Sequence, residues 1–167
     1  MFTSVDQFID TWKHEKQFTH NVLAGLTDAS LSQAVEPAGR TLGRIGWHVT
    51  QSIPEMMNRT GLDVSGPGEH ESPPSSAAAI VSAYDSAAQS VEDEVKKSWT
   101  DETLGDVDEM YGEKWKRGQT LDVLVMHQAH HRGQMTVLMR QAGLRVPSFY
   151  GPAREDWATW GMPEPAI

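Results

Sequence analysis

Apolar side chains recur at helical spacing in four stretches of the chain, and these stretches predict four long helices. The first helix follows Ser4, which opens a capping-box pattern, and extends to about Leu26. The second begins near Leu42 and ends before Gly61, and its interior proline should bend it. A loop rich in Gly, Pro and Ser then separates the two halves of the chain.

Two further helical patterns lie in the second half. An alanine-rich stretch follows Ser75 or Ser76, either of which can cap the third helix. The fourth helix is predicted over Leu121 to Ala142, opened by Thr120. Residues 101–119 hold few periodic apolar positions, so this segment is predicted to be an irregular connection with one helical turn.

No stretch alternates apolar and polar residues convincingly enough to indicate a strand, and no internal repeat is present. We therefore predict an all-α fold, a four-helix bundle formed by a single domain over residues 1–167. A short additional helix is expected in the tail at Ala153 to Trp160.

Composition narrows the classes of partner. The net charge of -9 opposes binding to nucleic acid and to anionic lipid, so neither is expected as a partner. The chain has no cysteine, which excludes disulfides, cysteine metal ligands and a protein thiol nucleophile. No apolar run approaches the roughly 18 residues of a membrane-spanning helix, and the start lacks a signal-peptide pattern. These features predict a soluble, cytoplasmic protein.

Three of the seven histidines lie in the fourth predicted helix. His127 and His131 are four residues apart, so they project from one helix face and can reach a single metal ion. His130 could instead pair with His127, but it lies toward a different side of the helix. A third interpretation, in which these histidines are hydrogen-bonded residues of the core or of an interface, is not excluded by spacing.

A complete site needs a third ligand from another helix, and His48 in the second helix is the candidate. Helical spacing places His48 at the flank of the apolar stripe, so the pattern alone does not select it. The remaining histidines, His14, His20 and His70, lie in polar segments and are expected to be solvated. Gln128 occupies the position that a zinc protease of the HExxH class requires as glutamate, which excludes that class.

These segments resemble a known family. The stretch HQAHHRGQMTVLMRQAGLRVP, preceded by W-x-R-G at Trp115 to Gly118, resembles the fourth-helix signature of the DinB-like family, also called YfiT-like metalloenzymes. The segment LGRIGWHV resembles the second-helix segment of that family. The resemblance implies a four-helix bundle of up-down-down-up topology with a divalent ion, usually zinc or nickel. It also implies that His48, His127 and His131 are the metal ligands.

The resemblance further implies a metal-dependent thiol S-transferase, which activates a low-molecular-weight thiol of the bacillithiol or mycothiol type for attack on an electrophile. A metal with open coordination positions lowers the pKa of a thiol, so a protein without cysteine can still carry out sulfur chemistry. Two alternatives are a metal-dependent hydrolase and a non-enzymatic, stress-associated metal-binding protein. Family members often form homodimers, and apolar residues on helices one and three would permit a homodimer here.

Other side chains are expected near such a site, without assigned catalytic roles. Four aromatic residues are candidates for apolar walls around an electrophile: Trp47, Tyr111, Trp115 and Trp157. Three polar residues are candidates to orient ligands or bind the carboxylate of a thiol: Gln128, Arg132 and Gln134.

Overall fold

The structure, a computed structural model, describes residues 1–164 and residue 166 and is mostly helical. Its long helices are α1 (Val5–Ala24), α2 (Leu42–Asn58), α3 (Ala77–Ser98) and α4 (Arg117–Gln141). A two-stranded antiparallel hairpin, β1 (Val107–Met110) and β2 (Glu113–Lys116), lies between α3 and α4. Short 3-10 turns cover Asp28–Ser32, Glu102–Gly105, Arg154–Asp156 and Ala158–Trp160.

Side-chain caps determine where the first three helices begin. Ser4, Thr41 and Ser76 each accept a hydrogen bond from the backbone N–H three residues later, which satisfies a donor that the helix leaves unpaired. The predicted starts of these helices are therefore confirmed, with Ser76 rather than Ser75 as the third cap. Helix α2 continues through Pro54 to Asn58.

The helices pack so that α1 and α2 each contact both α3 and α4. Trp12 on α1 is fully buried, and its indole Nε1 donates a hydrogen bond of 2.9 Å to the Ala88 carbonyl of α3. Gln128 on α4 is also fully buried, and its Nε2 donates to the Val49 carbonyl of α2 at 3.1 Å. This last contact places the turn of α4 that carries His127 beside the turn of α2 that carries His48.

The helical turn predicted within residues 101–119 is present as the 3-10 turn Glu102–Gly105, but the prediction that this segment holds no strand was wrong. Residues 107–116 form the hairpin, with Met110 opposite Glu113 at its closed end. The two turn residues, Tyr111 and Gly112, have φ angles of 56° and 84°, which is the left-handed geometry of a tight hairpin turn. The usual signal for such a turn is Asn-Gly or Asp-Gly, and Tyr-Gly does not give it.

The hairpin also moves the start of the fourth helix. Strand β2 ends at Lys116 and α4 begins directly at Arg117, earlier than the predicted Leu121. Thr120 lies inside the helix, where its hydroxyl donates to the Lys116 carbonyl. The predicted helix at residues 153–160 is replaced by the two 3-10 turns of the tail.

A buried polar cluster attaches the tail to the helices. Arg132 on α4 is fully buried and forms an ion pair with Glu15 on α1, which is also buried. The hydroxyl of Tyr150 in the tail donates to the Glu15 carboxylate at 2.8 Å.

None of the helices in residues 1–164 combines the length and the apolar character needed to cross a lipid bilayer.

Candidate metal centre

Three histidines from two helices meet at one point of the structure. His48 comes from α2, and His127 and His131 come from successive turns of α4. One ring nitrogen of each residue lies within 4.8 Å of those of the other two. The ring centroids are 4.4 to 5.0 Å apart, so the three imidazoles surround a common space. This group could hold a metal ion.

The spacing of the donor atoms fits a tetrahedral ion. His127 Nε2 and His131 Nε2 are 3.1 Å apart. Two imidazole nitrogens bound to zinc at roughly 2.0–2.1 Å with tetrahedral angles lie about 3.3 Å from each other. The helix backbone therefore holds these two nitrogens close to the separation that a shared ion requires.

Gln134 orients the His131 ring. His131 Nδ1 lies 2.8 Å from Gln134 Oε1. Because an amide oxygen can only accept, His131 Nδ1 carries the proton and Nε2 keeps its lone pair directed toward His127. Hydrogen bonds of this kind hold metal-binding histidines in the required tautomer. The expectation that Gln134 orients a ligand is thus supported by its position.

The electrostatic environment keeps the three rings neutral near pH 7. Burial is the main cause that lowers the pKa of His48 to about 4, and repulsion from His131 when that ring is protonated, and from Arg40, lowers it further. Burial also lowers the pKa of His127 to about 4 and lowers that of His131. A histidine binds a metal ion in its neutral form, so metal binding at neutral pH would not require these three side chains to release a proton.

The other four histidines are not part of this three-residue group, although the His130 ring lies 4.9 Å from that of His131. His130 is exposed on α4, and His14 is exposed on α1, where its Nδ1 lies 2.9 Å from the Asp10 carbonyl oxygen. His20 lies 2.8 Å from an oxygen of Asp85 on α3. His70 is exposed as expected, but it also lines the cleft described next.

The metal centre opens into a cleft of about 530 Å³. Helix α2 supplies one wall through polar side chains that include Arg44, His48, Gln51 and Glu55. Their spacings of four, three and four residues define a helix face, and this polar face is a signal that sequence reasoning missed. The other lining residues are Arg40, Ser52, Met56, Glu69, His70, Tyr111, Val123 and His127.

Tyr111 lines the cleft and contacts Glu55. Its hydroxyl donates to Glu55 Oε2 at 2.6 Å, and Arg59 Nε donates to Glu55 Oε1 at 2.7 Å. The Arg59 guanidinium lies over the Tyr111 ring, 4.9 Å from its centroid. Each carboxylate oxygen of Glu55 therefore already accepts one hydrogen bond.

The remaining polar candidates have structural roles. Gln128 bonds to α2 in the core, where its amide oxygen also accepts from the Thr19 hydroxyl at 3.3 Å. Arg132 is fully buried against Glu15, so it cannot bind a ligand carboxylate in the cleft.

Of the aromatic candidates, Tyr111 lines the cleft and the other three do not. The Trp115 ring packs against that of Tyr111 with centroids 5.6 Å apart. Trp47 is buried, and its indole donates to the Glu71 carbonyl at 3.0 Å. Trp157 lies in the tail, where its backbone joins the two 3-10 turns.

Comparison with known proteins places the chain in a family. The DinB family matches over residues 1–164. The chain is 42% identical to the uncharacterized protein YrdA of Bacillus subtilis (strain 168), and the alignment covers 100% of both proteins. The chain therefore belongs to the DinB family, as its sequence resemblance indicated.

Solved structures support the same assignment. A DinB-like protein from Bacillus cereus ATCC 10987 has 39% identity and a TM-score of 0.87, over 90% of this chain and 100% of that one. A DinB-like protein from Bacillus subtilis, YjoA, has 15% identity and a TM-score of 0.67, over 86% of this chain and 97% of that one. The second likeness concerns the fold alone.

Proposed function

We propose that this protein is a metal-dependent thiol S-transferase in which His48, His127 and His131 hold a divalent ion, zinc or nickel. The observation that supports it most is the meeting of three neutral imidazoles beside an open cleft. Three protein ligands with a vacant fourth position are the usual arrangement of catalytic rather than structural zinc.

An ion held by these three neutral imidazoles would keep its full charge and open coordination positions, and it would lower the pKa of a thiol bound to it. The chain has no cysteine, so the sulfur must come from a low-molecular-weight thiol as co-substrate. Arg40 and Arg44 line the cleft beside His48 and add positive charge that favours an anionic thiolate. The thiol proton would pass to solvent, and the thiolate would then form a carbon–sulfur bond with an electrophile held in the cleft as the carbon–halogen bond breaks and halide leaves.

Hydrolysis is the weaker enzymatic alternative. It requires a base to take a proton from water, and Glu55 is the carboxylate of the cleft on the same helix as His48. Both oxygens of Glu55 already accept hydrogen bonds, from Arg59 and Tyr111. A non-enzymatic metal-binding role would not account for the open, charged cleft beside the three histidines.

Cobalt substitution tests the proposal. Cobalt-loaded protein is titrated with cysteine and with glutathione as probe thiols, and then each thiol is supplied together with a chlorinated aromatic compound. A thiolate-to-cobalt absorption band and an adduct above the rate of a His131→Ala variant support thiol transfer. Turnover of an ester without thiol would favour the hydrolase. A metal-dependent rise in melting temperature, with no band and no turnover, would favour the non-enzymatic role.

The architecture and setting implied by the resemblance belong to the same proposal. We place the chain as one domain, a four-helix bundle of up-down-down-up topology, in the cytoplasm. The topology is supported by contacts of Phe2 with Gly118 and of Thr19 with Arg132, which run in parallel order along α1 and α4. The Lys16 and His20 contacts with Glu92 and Asp85 run in the opposite order along α3.

A homodimer is also proposed, with a changed interface. Among the described residues, the most exposed large apolar side chains include Met126 and Val137 on α4, and none lies on α1 or α3. The expectation of a dimer through apolar residues of helices one and three therefore loses its basis. The face of α4 that carries Met126 and Val137 is the better candidate.

A further inference from the structure

Helices α2 and α4 run in opposite directions where they enclose the metal cleft. A Cβ added at Gly46 on α2 would lie 3.6 Å from Met135 Cε on α4. One turn further along α2, the Val49 carbonyl accepts a hydrogen bond from Gln128, which lies two turns earlier on α4 than Met135. The last turns of α2 therefore lie beside the first turns of α4.

Three residues with apolar side chains line the cleft on this side of the histidines. Val123 precedes His127 by four residues, which is about 6 Å along the axis of α4. Met56 follows His48 by eight residues, which is about 12 Å along the axis of α2. The third residue is Tyr111, at the tip of the hairpin that leads into α4. Together these three side chains form the apolar segment of the cleft.

The Tyr111 ring is held in place by three contacts. Its hydroxyl donates to Glu55 Oε2 at 2.6 Å, and Glu55 lies seven residues, or about 10 Å of helix axis, beyond His48. The Arg59 guanidinium lies 4.9 Å from the ring centroid, and the Trp115 ring packs against it at 5.6 Å. Tyr111 nevertheless remains 51% exposed and lines the cleft, so part of the ring is free to contact a ligand.

We infer that the apolar segment of the cleft binds the electrophile, and that Tyr111 makes the site selective for an aromatic electrophile over an aliphatic one. This inference rests on the proposed function, in which the thiolate sulfur lies at the three histidines. The distance of about 10 Å along α2 from His48 to Glu55 accommodates a single substituted ring. Aromatic rings attract one another beyond the effect of their buried area, whether they stack or meet edge to face.

The reaction at this segment follows the proposed chemistry. With an aryl chloride, the thiolate forms a carbon–sulfur bond at the ring carbon that carries chlorine, the carbon–chlorine bond breaks, and chloride leaves. Tyr111 determines specificity here by contact with the ring and takes no part in the bond changes.

Binding of meta-dinitrobenzene to the full-length, zinc-loaded protein tests the site without any reaction, because this compound has no leaving group. Its dissociation constant is measured by equilibrium dialysis for Tyr111→Phe and Tyr111→Leu. Both variants lose the hydroxyl bond to Glu55, and neither is branched at Cβ, so they meet the positive φ of residue 111 alike. Only Tyr111→Leu also loses the ring.

Tyr111→Leu should weaken this binding by about threefold to tenfold, the value of an aromatic pair, and Tyr111→Phe by less than about twofold. Trp160→Leu removes an exposed aromatic ring outside the cleft and should leave the constant unchanged.

Turnover with cysteine as the thiol tests the same site during transfer. The values of kcat/KM are compared for chlorodinitrobenzene and for chloroacetamide, whose ratio cancels any change in the thiol step. Tyr111→Leu should lower the ratio of aromatic to aliphatic kcat/KM by about threefold to tenfold, mainly through a raised KM for the aromatic chloride. Tyr111→Phe and Trp160→Leu should keep the ratio of the unchanged protein.

Equal binding of meta-dinitrobenzene by Tyr111→Leu and Tyr111→Phe, or an equal loss of turnover with both chlorides in Tyr111→Leu, would overturn the inference. Transfer by the unchanged protein would still support the proposed function in that case. Binding that depends on the ring, with no transfer to either chloride, would overturn the proposed function and with it the assignment of the apolar segment to an electrophile.

Discussion

Gln134 offers a sharp test because it acts on the metal centre through a single hydrogen bond. Gln134→Ala removes the acceptor that holds His131 Nδ1–H at 2.8 Å. A net hydrogen bond contributes about 0.5–1.5 kcal/mol, which corresponds to roughly twofold to twelvefold in affinity. Loss of partners to metal-binding histidines typically lowers affinity by about 10–100-fold. Because Gln134 is exposed, we expect the low end of that range, about tenfold.

The measurement is a zinc competition titration against a chromophoric chelator at pH 7. Gln134→Glu keeps an acceptor at the same place and adds a negative charge, so it should bind zinc at least as tightly as the unchanged protein. Gln141→Ala removes an exposed glutamine two turns further along α4 and serves as the matched control. Equal affinities for Gln134→Ala and the unchanged protein, or equal losses for Gln134→Ala and Gln141→Ala, would refute the reasoning.

Three further predictions concern stability, each measured by urea denaturation of the metal-free protein. Gly118→Ala should lower the free energy of unfolding by about 1–3 kcal/mol, because the added Cβ would lie 2.0 Å from the backbone oxygen of Phe2. Gly133→Ala is the matched control on the same helix. Its Cβ would enter open space, so the free energy of unfolding should rise by up to about 1 kcal/mol. Arg132→Met should cost about 3–5 kcal/mol, since it leaves the buried Glu15 without its cation, and a loss below about 1 kcal/mol would contradict the buried pair. The pKa of His48 is about 4 in the folded state, against 6.5 for an unperturbed histidine. The unfolded chain therefore takes up protons first as pH falls, and stability should decline from pH 6.5 toward pH 4. His48→Asn should show a smaller decline over the same range, from pH 6.5 toward pH 4, and an unchanged decline would contradict the lowered pKa of this partly buried ring.

The helices and two of the three histidines could be predicted from local pattern. Residues four apart on a helix share a face wherever that helix packs, so the spacing of His127 and His131 brings their rings together. The same spacing does not show which face meets another helix. His48 required that information, because it faces α4 only through the packing that Gln128 and Val49 establish in the core.

The polar face of α2 could have been read from helical spacing, but the hairpin and its contact with the cleft could not. The strands of the hairpin are only four residues long, and its turn places Tyr111 at a positive φ, where Asn is the usual residue. Tyr111 reaches Glu55 across 56 positions of sequence, a contact that no local period contains. Arg132 was misassigned because a charged residue on a helix is usually solvated, whereas here it is buried with Glu15.

The most direct test of the metal centre is an isothermal titration of the metal-free protein with zinc, carried out on four single histidine variants. The unchanged protein should bind one zinc ion per chain, and His48→Ala, His127→Ala and His131→Ala should each lose that binding. His130→Ala should retain it, since His130 is a neighbour of His131 on α4 but lies on the exposed side. Binding by His48→Ala equal to that of the unchanged protein, or loss of binding in His130→Ala, would contradict a site formed by His48, His127 and His131.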